Sequence, residues 1–174
     1  MRNKILVGIG CLVLAIGSTQ ADEQIPAAVK AKMNGYIGTW EFSEEVLETP
    51  SSDPITVNGE WTARWIFDNL IEWSGTFLWK GSEATLVQYE GYDKQHKGFS
   101  YWFISSGLRG DMYDGVWDGN TMSWQHKDFA PDGSATRGRC KFSYKDDFTK
   151  IDYVCEGLTD GVWWVSRRGN AKKK

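Results

Sequence analysis

The sequence predicts an all-β protein, an antiparallel up-and-down barrel of about 8–10 strands behind one short helix. Three observations lead there. The 174 residues include ten Trp, seven Tyr and eight Phe, with 19 Gly and only four Pro. Aromatic side chains suit the pleated, half-buried surface of a strand, and glycine suits tight turns. Over most of the length, apolar residues alternate with polar ones at period two, and turn signals separate the alternating runs.

The first residues read differently. Arg2 and Lys4 precede an apolar run over residues 5–16, and Thr19 and Ala21 are small residues at signal-peptidase spacing. This pattern predicts a secretory signal over residues 1–21 and a single mature domain over 22–174. The apolar run is too short to span a bilayer comfortably, so no membrane span is expected after cleavage. Cys11 sits inside the run with apolar residues after it, which excludes lipidation there. The expected location is periplasmic or secreted. Removing the signal takes away two cations and leaves 18 Lys+Arg against 23 Asp+Glu. That acidic balance argues against a nucleic-acid partner, which needs a basic face. The run Lys172-Lys173-Lys174 reads as a solvated end.

One helix is expected over residues 26–36. Val29, Met33 and Tyr36 recur at helical spacing, Pro26 suits a first turn, and Asn34-Gly35 suits an exit. Strands follow over residues 39–48, 56–67, 70–80, 84–91, 98–105, 111–118, 121–128, 136–145, 150–156 and 162–168. The turns between them include Asp68-Asn69, a turn from Lys80 to Glu83, Gly119-Asn120 and Pro131-Asp132-Gly133. No connection holds a helical crossover, so each strand should pair antiparallel with the next. Residues 49–53 form a loop. Alternation puts Trp61, Ala63, Trp65 and Phe67 on one face, Ile71, Trp73, Phe77 and Trp79 on another, and Met122, Trp124 and His126 on a third. The fifth strand is ambiguous, because Trp102 opposes Tyr101 and Phe103.

Cys140 and Cys155 remain after maturation, and an even count in an exported chain favours a disulfide. A hairpin turning over residues 146–149 sets Phe142 against Tyr153 and Cys140 against Cys155. It also sets Arg139 against Glu156 on the opposite face. Directly opposed cysteines can be bridged.

Two further features carry a family resemblance. Gly38-Thr39-Trp40, following the helix, resembles the start of the first strand in lipocalin-like (calycin) barrels. The ending Trp163-Trp164-Val165-Ser166-Arg167-Arg168 resembles the calycin last strand. There, an arginine packs across the first-strand tryptophan by cation–π stacking and bonds to backbone carbonyls. The resemblance implies that Arg167 or Arg168 closes the barrel over Trp40. The body, including Tyr89-Glu90-Gly91-Tyr92-Asp93, Tyr101-Trp102-Phe103 and Gly115-Val116-Trp117-Asp118-Gly119, resembles the bacterial domain-of-unknown-function family 1579 over residues 33–168. That implies a calycin-like barrel and, by analogy, a small-molecule binder.

Catalytic chemistry finds no support. There is no nucleophile elbow, no free thiol and no His/Cys metal spacing, and the paired acids Glu44-Glu45 and Asp146-Asp147 read as solvated. No enzyme activity and no metal are expected. His96 lies in a charged turn. The candidate cavity lining is Trp61, Trp65, Trp73, Phe77, Trp79, Tyr101, Phe103, Trp124 and His126. Indole faces offer apolar platforms, and the expected partner is a small hydrophobic or amphipathic molecule. A filled barrel acting as a structural module is the alternative. No cofactor is expected unless His126 ligates haem iron, as a late-strand histidine does in a related group of ten-stranded barrels.

Overall fold

The computed structural model describes residues 25–93, 97–105, 108–129 and 133–174. The expected signal, His96 and most of the turn leading to Gly133 lie outside them. Helix α1 (Ala27–Gly35) precedes ten strands: β1 (Gly38–Val46), β2 (Ile55–Phe67), β3 (Leu70–Trp79), β4 (Ser82–Asp93), β5 (Gly98–Ser105), β6 (Leu108–Asp118), β7 (Thr121–Phe129), β8 (Ala135–Lys145), β9 (Lys150–Thr159) and β10 (Val162–Lys173). Each pairs antiparallel with its successor, and β10 returns to β1. Closure leaves no strand edge unpaired.

Local chemistry explains the hairpins. Lys80-Gly81 and Asp160-Gly161 adopt positive φ at both residues (49° and 80°, 51° and 78°). Such two-residue turns match the right-handed twist of the strands they join, and glycine bears the second position without strain. In the β8–β9 hairpin Cys140 opposes Cys155 as the register predicts, and their sulfurs are bonded at 2.05 Å. Arg139 and Glu156 pair on the outer face.

Alternation assigns the walls. Outward positions of β1 and β2 carry Glu41, Ser43, Glu45, Asn58 and Glu60, while Trp40, Phe42, Val57 and Ala63 are buried inside. Among the described residues, no helix is long and apolar enough to cross a membrane. The ambiguous β5 resolves: Phe99, Tyr101 and Phe103 face in, and Trp102 and Ile104 face out.

Two expectations change. Phe67 does not share the inner face with Trp61 and Trp65. A register shift between Trp65 and Phe67 turns it outward, and it is 68% exposed. The last strand also runs past Arg168 to Lys173, because β1 and β9 both offer partners there. Ala171 is consequently buried against the core.

That extension changes how the barrel is sealed. Trp40 pairs with Lys173, whereas Arg167 and Arg168 lie opposite Val46 and Glu45, six and five residues further along β1. Lys173 Nζ, not an arginine, sits 5.5 Å over the Trp40 ring and donates to Gly35 O at 3.0 Å. The supposed solvated tail is thus part of the plug. Helix α1 lies across this end. Met33 and Tyr36 are fully buried, and the Trp40 indole N–H donates to Tyr36 O at 2.9 Å. Phe148, from the β8–β9 turn, packs so closely on Gly35 that a Cβ there would lie 2.6 Å from its ring.

Candidate functional site

The ligand candidates are found by asking which inward side chains are left uncovered. Near the helix, inward residues are packed: Trp40, Ile71 and Met122 are at most 1% exposed, and Ile151, Ala171 and Phe99 at most 3%. Towards the opposite end, Phe77, Trp79, Phe103 and Trp164 occupy inward register positions yet are only half-buried, while Trp61 and Tyr101, also half-buried, pair with Trp40 and Glu90 at the level of the packed end. A side chain that points inward and still meets solvent lines unfilled space. Arg167, also inward, has 44% of its side chain exposed. These inward, partly exposed side chains define the candidate lumen of the barrel.

Glycines let several inward rings lie against the wall. Phe42 opposes Gly59, Phe103 opposes Gly110, His126 opposes Gly138, and Tyr153 opposes Gly169. A Cβ on those glycines would fall 2.6, 2.4, 2.0 and 2.7 Å from the facing ring. Each ring therefore lies flat on the bare backbone of its neighbour instead of crossing the interior. Trp164 lies against Gly157 in the same way, at 3.2 Å.

Five polar side chains interrupt this lining. Tyr153 Oη donates to Glu44 Oε2 at 2.9 Å, and Arg167 Nε stands 3.5 Å from the same oxygen. Burial, then the Glu44 charge, push the Tyr153 hydroxyl far up, so it stays a neutral donor. The Glu44 charge likewise raises Arg167. On the facing wall His126 Nδ1 lies 3.1 Å from Asp128 Oδ1. The carboxylate can only accept, so Nδ1 is the donor of this pair and the ring's Nε2 is left outside it. Among the described residues that Nε2 has no partner, and neither does the Trp61 indole N–H.

The expected lining residues separate into two groups. Phe77, Trp79 and Phe103 face the open half, and Trp61 and Tyr101 lie at its floor, level with Trp40 and Glu90. Trp65, Trp73 and Trp124 belong to packed regions. The Trp65 indole donates to Asn34 Oδ1 at 2.9 Å beneath the helix, and Trp73 and Trp124 are 7% and 4% exposed. His126 is 6% exposed, and its Nε2 is covered over Gly138. Iron ligation would require the ring to leave that wall, so the residues as placed do not fit haem. Among the described residues no cluster of metal-ligating side chains occurs.

Sequence reasoning missed Glu90. It is 4% exposed at the helix end, accepting from Tyr36 Oη at 2.5 Å and from the Trp73 indole at 3.2 Å. Burial raises its carboxyl to about 7, against the pull of those two hydrogen bonds. Its signal was parity, since it follows Ala84, Leu86 and Gln88 along the inward side of β4. A separate groove of about 560 Å³ lies over β4–β6, bordered by Tyr89, Trp102 and Tyr113, with Tyr89 and Trp102 stacked at 5.8 Å. It is open to solvent, and Asp93 and Asp111 also line it.

No family model and no curated protein matches the chain. The crystal structure of Rv2717c from M. tuberculosis is similar at a TM-score of 0.62 and 11% identity, covering 87% of this chain and 99% of that one. A redesigned β-barrel aligns at a TM-score of 0.45 and 10% identity over 83% and 96% of the two chains. At such identities the first likeness shows the shared barrel fold alone.

Proposed function

We propose that this chain is an exported binding protein, akin to the domain-of-unknown-function family 1579, that holds a small apolar or amphipathic molecule in the open half of its barrel. One observation carries the reading: Phe77, Trp79, Phe103 and Trp164 occupy inward positions towards one end yet stay partly exposed, and glycines let the Phe103 and Trp164 rings lie against the wall. A filled barrel would bury them, as the helix end does. Apolar burial supplies the affinity. A guest hiding about 300 Å² of apolar surface gains roughly 7 kcal/mol before the cost of immobilisation. The disulfide and the signal-like start support export. The reading is of binding without catalysis, since the ionisable groups of the lumen are engaged with one another.

Trp61 and Trp79 make the test direct. Titrating the mature protein with a panel of lipids, sugars and hemin should give saturable changes in tryptophan fluorescence for at least one apolar or amphipathic class. Native mass spectrometry should show the matching adduct at one per chain. A flat response across the panel, with no adduct, overturns the reading.

A further inference from the structure

Among the described residues, helix α1 is the one element that lies outside the closed sheet. Every strand is held by hydrogen-bond ladders on both sides, and moving one breaks them. The helix has nine residues and no side-chain cap on its first turn. A helix of that length is marginal by itself. Its seat depends on what its end touches. Met33 and Tyr36 are buried, the Trp40 indole donates to Tyr36 O, Lys173 Nζ to Gly35 O, and Lys32 Nζ to Gly119 O at 2.6 Å. The Tyr36 hydroxyl reaches Glu90.

Glu90 is surrounded by donors without a countercharge. Its cross-strand neighbours are Ile71 on β3 and Tyr101 on β5. Its hydrogen bonds come from the Tyr36 hydroxyl and the Trp73 indole, both neutral. The groups that feel its charge are the phenols of Tyr36, Tyr101 and Tyr144 on β8. Burial holds all three far above their ordinary range, so they stay uncharged. The cations of this end are turned elsewhere: Lys30 lies over Trp65, Lys32 over Trp117 and Lys173 over Trp40. Arg167 is matched to Glu44. A carboxylate at Glu90 is thus a buried charge held by neutral donors, which is costly, whereas the carboxylic acid carries no charge. Of the side chains around it, Tyr36 belongs to the helix end, and the others belong to laddered strands.

We propose that Glu90 and helix α1 form a proton-controlled stopper at this end of the barrel. Loss of the Glu90 proton favours a minor state in which Tyr36 and the helix lift away, water reaches the carboxylate, and the ten strands stay paired. Regaining the proton reseats the helix. This local opening costs less than unfolding the barrel, because no ladder is broken. The sign follows from burial. The carboxyl is raised to about 7 beneath the seated helix and returns to its ordinary 4.5 once solvated, so opening becomes easier as pH rises between those values and changes no further above them. The device needs no guest in the lumen.

Amide hydrogen exchange of the folded chain, followed by NMR as a function of pH and expressed as protection over the intrinsic rate, tests this. The reporters are the Lys30, Tyr36 and Ile37 amides, bonded to Pro26 O, Met33 O and Asn34 O. Their protection should stay below that of the slowest strand amides and should fall by about tenfold per pH unit up to about 7. In Glu90→Gln, which keeps a neutral polar group at the site, their protection should be independent of pH. The wild-type comparison between helix and strands decides even if the variant folds poorly. Helix protection that ignores pH in wild type overturns the stopper. So does helix protection equal to that of the slowest strands, because the helix would then leave only when the whole barrel unfolds. A pH-dependent fall that persists in Glu90→Gln overturns it as well.

Discussion

The two ends of this barrel use the same kinds of residue for opposite purposes. At the helix end Tyr36 stacks on Trp73, Trp117 and Tyr144 at 5.4, 6.5 and 5.8 Å, and the rings fill the cross-section. At the open end, rings such as Phe103 and Trp164 lie against glycine and fill nothing. Aromatic content therefore does not decide whether a barrel is packed or hollow. A glycine beneath a ring does not decide it alone, since Trp124 lies as close to Gly115 and is buried. The helix laid across one end, with Met33 and Tyr36 fully buried, makes the difference. The polar groups follow the same division. Glu90 at the packed end is held by neutral donors, whereas Glu44 and Asp128 face charged or basic partners in the lumen.

The sharpest way to break this comparison is to truncate a tryptophan at each end. Trp40→Ala removes a fully buried ring under the helix and should cost about 3–5 kcal/mol. Trp79→Ala removes a half-buried ring from the lumen and should cost about 1 kcal/mol or less while weakening ligand binding. Denaturant melts measure both. Equal losses would mean that the open half is packed after all.

Next in size is the pH response of the helix end. Glu90 has its carboxyl raised to about 7 from an ordinary 4.5, so the native state favours the protonated form. Its contribution is complete below 4.5, falls as pH rises towards 7, and is constant above, a loss on the order of 3 kcal/mol. Stability measured across that window should decline in wild type and lose this component in Glu90→Gln. An unchanged slope in the variant would remove Glu90 from the account.

The smallest effect sharpens the seal. Lys173→Met removes the cation over Trp40 and the hydrogen bond to Gly35, and should cost about 1 kcal/mol. Arg168→Met breaks only an exposed pair with Glu45 and should cost about 0.5 kcal/mol or less. The reverse order would restore the arginine closure that the calycin resemblance implies.

What could be read from the chain was local. Period-two alternation placed Cys140 against Cys155 and put Trp61, Phe77 and Trp79 inside, because adjacent strands joined by short turns have little freedom of register. The β5 segment stayed ambiguous because both of its faces are aromatic, and only its neighbours could choose. Glu90 was missed because a carboxylate in a strand looks solvated until Tyr36, 54 residues away, is brought over it. The choice of Lys173 over an arginine at Trp40 likewise depended on where β10 meets β1, a pairing between the first and last strands.

Sequence alone thus determined the strands, their antiparallel order, the hairpin disulfide and the aromatic inner face, since each follows from neighbours close along the chain. Only the tertiary structure decided which end is plugged, which rings lie flat on glycine, and which carboxylates share the lumen with Arg167. Those depend on closure, which sets residues more than a hundred positions apart, such as Glu44 and Tyr153, within hydrogen-bonding distance.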